Sequence, residues 1–152
     1  MNLLEQRDLS SLKQLASEIM DYSSEHCGAE WVSAFAWKYP SQHAMIKGKW
    51  LFSIEIASKK VPGYYCAAVF NLMDLPMYLG EDWNTARLRE TLLSFPSYAW
   101  AKERNLIWGD GDKNKWLYID LRALRDDACV DTFKNTLKML ANEMQNNEGL
   151  DA

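Results

Sequence analysis

The segment Asp110-Gly111-Asp112-Lys113-Asn114 is the first place in this chain where residue types and spacing could do chemistry. Its carboxylates and amide could offer oxygen ligands to a hard cation. A helix-loop-helix calcium site needs Gly at its sixth position and a bidentate Glu at its twelfth. Those places hold Lys115 and Leu121, so the ligand count fails and the segment reads as a polar hairpin loop. The two histidines, His26 and His43, are the next candidates. His26 adjoins Cys27, but neighbours on a helix do not face each other, so they form no nucleophile–base pair. It reads instead as a cation favoured near a helix C-terminus. His43 falls in a loop without an obvious partner. Cys27, Cys66 and Cys129 are odd in number and far apart, which makes neither a disulfide framework nor a metal or redox pair. The expectation is a reducing cytoplasm and no metal or other cofactor.

Glu55, Lys59 and Lys60, with Asp110, Asp112 and Asp120 elsewhere, have the residue types of a metal-dependent nuclease. Nucleases of the PD-(D/E)xK type place an acid and then Glu-x-Lys on adjacent strands to hold magnesium and position water. Here Ala57 stands two residues after Glu55, and the lysine arrives only at Lys59. Glu55 is therefore read as an outward-facing strand residue paired with a neighbouring lysine. A degenerate nuclease-like domain is kept as a distant alternative.

These residues must be positioned by elements that the apolar pattern outlines. Leu9, Leu12, Leu15, Ala16, Ile19 and Met20 recur at helical spacing and predict a helix over about 8–25. Asp8 or Ser10 would cap it, and Gly28 would close it in a left-handed conformation. Three strands are expected next: Glu30–Lys38, Lys49–Ala57 and Tyr64–Leu72. Tyr39-Pro40-Ser41-Gln42 reads as a break between the first two, and Val61-Pro62-Gly63 as a turn. Trp50, Phe52, Ile54 and Ile56 alternate cleanly and read as one core-facing set. Asp74–Gly80 reads as an apolar loop around Pro76. A helix from near Asp82 to Phe95 with Leu88, Leu92 and Phe95 inward, and a short one over Tyr98–Arg104 capped by Ser97, complete the middle. Leu106–Trp108 and Trp116–Leu121 then form a hairpin. A final helix over about Asp127–Gln145 carries the stripe Val130, Phe133, Leu137, Leu140 and Met144, and the tail after Asn146 reads as frayed. The order α-β-β-β-α-β-β-α with short strand connections predicts a single α+β domain, its helices packed on an antiparallel sheet.

Seven tryptophans are present, and five fall in predicted strands: Trp31, Trp37, Trp50, Trp108 and Trp116. If Leu117, Ile119 and Leu121 face a helix, Trp116 and Tyr118 point the other way, beside Trp108 across the hairpin. That cluster, with Met77 and Tyr78 in the apolar loop, makes the candidate binding surface. A second packing layer or a dimer interface would use the same residues. The formal charge of −4 lacks the basic surplus of a nucleic-acid binder and suits a basic partner. No membrane span or signal peptide is expected.

The element order, size and acidic charge resemble those of class I type III secretion chaperones. The resemblance spans most of the chain and implies a cytoplasmic homodimer that holds an extended segment of another protein on apolar patches. Immunity proteins and small inhibitors share such an order. The reading is a non-catalytic protein-binding module, with a Trp/Tyr-lined small-molecule module as the alternative.

Overall fold

The structure is a computed structural model that describes residues 9–36, 39–57, 65–109 and 115–147. Helix α1 (Leu9–His26) leads into four successive strands: β1 (Glu30–Ala36), β2 (Tyr39–Ile46), β3 (Lys49–Ala57) and β4 (Tyr65–Asn71). Three short helices follow, α2 (Leu75–Leu79), α3 (Thr85–Leu92) and α4 (Tyr98–Glu103). Strands β5 (Ile107–Gly109) and β6 (Trp116–Asp120), a 3-10 turn over Leu121–Ala123 and the long helix α5 (Asp127–Asn146) complete it. The six strands make one sheet in the order β1-β2-β3-β4-β6-β5, every pair antiparallel. This is the α+β, antiparallel architecture that the sequence predicts.

It holds one strand more than expected. The supposed break at Tyr39-Pro40-Ser41-Gln42 is the start of β2, and His43 lies within that strand rather than in a loop. Proline in a sheet is tolerated where no ladder bond needs its missing N–H. The β2–β3 register runs from Ser41 to Ile46, so Pro40 is paired only with β1.

The helices cover one face. Leu12, Leu15, Ala16 and Ile19 of α1, and Val130, Phe133, Leu137, Leu140 and Met144 of α5, are buried against it. There Phe70 stacks on Phe52 at 5.6 Å and meets Phe133 edge-on at 6.3 Å. Gly28 closes α1 with φ at +73°, in the left-handed region where glycine carries no Cβ penalty. The expected loop at Asp74–Gly80 holds α2, since Pro76 fits a first helical turn whose N–H groups are unsatisfied anyway. The predicted helix from Asp82 begins later, because Asn84 caps it by accepting from the Arg87 N–H at 2.8 Å. Ser97 sits ahead of α4 as expected, yet its hydroxyl donates to the Ala123 carbonyl at 2.6 Å instead of capping.

Strand β3 corrects the cleanest pattern in the sequence. Ala44 pairs with Phe52 and Met45 with Trp50, so Leu51 is an extra residue opposite no partner. Such a bulge shifts the alternation by one. Leu51 turns into the helix-covered core at 1% exposure, and Trp50 leaves the face it was assigned to share with Phe52 and Ile54. The expected Asp8 cap, Trp37, Lys59, Lys60, the Val61-Pro62-Gly63 turn, the 110–114 loop and most of the terminal tail lie outside the described residues.

Candidate functional site

No described helix lies on the second face of the sheet, and period-two alternation decides which side chains occupy it. The register aligns Val32, His43, Ser53, Val69, Tyr118 and Trp108 in one row across all six strands. Trp50 and Trp116 stand in the next row, and Tyr65 reaches in from the opposite end of β4. Strand β4, read as covered on both sides, is buried along its whole length. Helices cover Cys66, Ala68 and Phe70, whereas Tyr65, Ala67 and Val69 are covered by Trp108, Trp116 and Tyr118 from neighbouring strands.

The rings form two connected groups. His43 stacks on Trp50 at 4.7 Å with a 15° interplanar angle, and Trp50 meets Trp116 at 5.5 Å. Trp108 stacks on Tyr118 at 5.2 Å and 9°, and Tyr65 meets Trp108 edge-on at 5.3 Å. Offset stacks and edge-to-face pairs are the arrangements that the ring quadrupole favours. The Trp50 indole N–H donates to Ser53 Oγ at 2.7 Å, which fixes the ring over the sheet. Trp50, Trp108, Trp116 and Tyr118 are half-buried, so the face presents aromatic surface held in place by its own contacts.

Beneath the rings lies a polar floor. Glu55 was expected to point outward and pair with a lysine. It is on this face, but only 5% exposed, and its described partner is Tyr65, whose hydroxyl donates to Glu55 Oε1 at 2.5 Å. Burial raises the Glu55 pKa, and the Tyr65 bond works against that rise. Burial lowers the pKa of His43, which favours the neutral ring. Two strands along the same row, with Ala67 between, stands Asp120, 3% exposed. It accepts from Arg122 Nη1 at 3.2 Å and from the Arg122 backbone N–H at 3.0 Å. A buried acid is tolerable in such company because its charge is paired and its oxygens are bonded.

The cysteines lie away from reactive chemistry. Burial pushes the Cys27 thiol up to about 11. Burial also pushes Cys66 up to about 12; the Asp120 charge adds to this, while Arg122 and Lys13 oppose it. All three are free and buried. Among the described residues no three His, Cys, Asp or Glu side chains gather as metal ligands, and no helix is long and apolar enough to cross a membrane.

Of the residues singled out from sequence, Trp108, Trp116 and Tyr118 share this face. Met77 and Tyr78 do not join them. They lie on α2, at the helix-covered side, with Met77 65% exposed and Tyr78 half-buried below the Lys49 ammonium, 5.7 Å from its ring centroid. The face also recruits Trp50, His43 and Tyr65, which pattern reading misses, and Glu55, whose side of β3 the alternation predicts but whose burial it does not. Trp50 was hidden by the bulge, His43 by the supposed break, and Tyr65 by an apolar run that conceals which face each residue takes. Glu55 and Ser53 did carry a signal, as polar residues alternating with the core set on β3. The arrangement is suited to gripping a partner through rigid rings, with carboxylate beneath them. Compared with family models, curated proteins and solved structures, the chain matches none of them.

Proposed function

We propose that this chain is a non-catalytic protein-binding domain of the chaperone, immunity or inhibitor kind, and that it receives a basic segment of another protein on the sheet face that no described helix covers. The observation that carries this reading is the belt of half-buried Trp and Tyr rings on that face. Aromatic anchors dominate binding energy at protein interfaces, and rings already stacked lose little freedom when a partner arrives. A basic partner suits the site for two reasons. Glu30 stands exposed on the same face, and aromatic faces attract cations. Lys115 already takes such a position, 5.3 Å from the Trp116 ring centroid. The net charge of −4 would steer a basic partner toward the chain. The homodimer belongs to this proposal through the chaperone resemblance, and the reducing cytoplasmic setting through that resemblance and the cysteine pattern; light scattering on the purified chain tests the first of them.

The test is capture from the host's own lysate, read by mass spectrometry, with three baits: the natural chain, Trp116→Ala and Met77→Ser. Trp116→Ala should lose about 2 kcal/mol of binding, the scale of an interface anchor, while its far-UV circular dichroism stays unchanged. Met77→Ser, on the other side of the molecule, should keep the partner. A folded Trp116→Ala that retains the partner at full affinity would move the contact off this face.

A further inference from the structure

On the helix-covered side of the sheet, α1 and the strands do not close completely. A cleft of about 320 Å³ opens between them. Ile54 and Ile56 of β3 form its floor, and Ala16 and Met20 of α1 its wall. Ala16 and Ile54 are themselves buried, and the half-buried Met20 and Ile56 give the cleft its accessible apolar surface. Met20 is fixed to the sheet by Trp31, whose indole N–H donates to the Met20 carbonyl at 3.1 Å. Lys13 and Gln42 stand at the rim. Residues 13, 16 and 20 recur three and four apart, so they lie on one stripe of α1.

Two features select an occupant. The lining is predominantly apolar and of the size at which small-molecule sites begin, roughly 300 Å³. Among the described residues the rim carries one cation, Lys13, which makes no ion pair or hydrogen bond with them. Cys66, the direct cross-strand partner of Ile56 on β4, has its burial-raised pKa opposed in part by the Lys13 charge. Glu18, the next acid along α1, is engaged by Lys134 at 2.7 Å. At the other rim, Gln42 commits its amide nitrogen to Ser33 Oγ at 2.8 Å.

We infer that this cleft is a second binding site, independent of the aromatic face, for a small monocarboxylate with an aliphatic body. The body would lie on Ile54, Ile56 and Met20, and the carboxylate would meet Lys13. A neutral ligand of equal size leaves that ammonium unmatched, and an amine is repelled by it.

The experiment is titration of the whole chain with octanoate, octanol and octylamine, followed by calorimetry and by methyl NMR. Octanoate should bind about tenfold more tightly than octanol, the scale of a hydrogen bond to a charged group, and octylamine more weakly than either. The shifted signals should be the methyls of Met20, Ile54 and Ile56, with the indole signals of Trp108 and Trp116 unmoved. Lys13→Gln, an exposed substitution that leaves the core intact, should abolish the preference for octanoate while octanol binding stays the same. Failure of octanoate to bind, equal affinity for the three probes, shifts centred on the aromatic face, or a preference that survives Lys13→Gln would each overturn the inference. None of these outcomes bears on whether a protein docks on the opposite face.

Discussion

Glu55 shows how a single position changes meaning once its neighbours are known. Sequence alternation placed it opposite the core set of β3, and it is opposite, but the rings around it remove it from water. Its pKa is raised by burial, against the pull of the Tyr65 bond, so the ionised form is less favoured in the folded chain than in the unfolded one. The stabilising difference is therefore full in acid, where both states are protonated, and is lost as pH rises through the folded-state value. Glu55→Gln should match the natural chain in stability below the ordinary carboxylate range, where both states are protonated, and exceed it at neutral pH, because glutamine keeps an acceptor for Tyr65 without the charge. Denaturant unfolding at both pH values measures this; an equal offset at the two would exclude the assignment. Tyr65→Phe should cost about 1–3 kcal/mol at neutral pH, since it leaves a buried carboxylate without its donor, and less in acid. The same two variants locate Tyr65, which the apolar run Tyr64–Leu72 kept anonymous in the sequence.

At the scale of elements, long amphipathic helices were legible and strand details were not. The stripes of α1 and α5 are buried as their spacing predicts, because a helical period repeated over several turns has few competing explanations. A strand offers only a few alternations, and one inserted residue reverses them. The bulge at Leu51 makes a testable contrast. Leu51→Ala should cost about 3 kcal/mol, as for a buried leucine truncated in a packed core. Trp50→Ala should cost only about 1 kcal/mol, the scale of its ring contacts with His43 and Trp116. Chemical denaturation of the two variants distinguishes this from unbroken alternation, in which Trp50 would be the costlier loss. Strand β2 was hidden for a similar reason: Pro40 reads as a breaker unless one knows that β3 does not pair there.

Across the whole molecule, one sheet separates two unequal cores, a large one under the helices and a small aromatic one on the open face. Strand β4 contributes to both, Cys66, Ala68 and Phe70 to the first and Tyr65, Ala67 and Val69 to the second. Thermal or denaturant unfolding should give one transition, with tryptophan emission and far-UV circular dichroism coincident; an earlier change in emission would mean that the open face melts by itself. The α+β class, the antiparallel sheet and the two long helices were determined by the sequence alone, through local periodicity and short connections that leave few topologies. So was the grouping of Trp108, Trp116 and Tyr118, because a hairpin brings near neighbours in sequence side by side. The tertiary structure decided the rest. Which face Trp50 takes depends on pairing with β2, and whether Glu55 meets water depends on rings from β4 and β5. The cleft at Lys13 depends on how closely α1 can approach β3. Each of these is set by contacts between residues distant in the chain, and no local pattern encodes them.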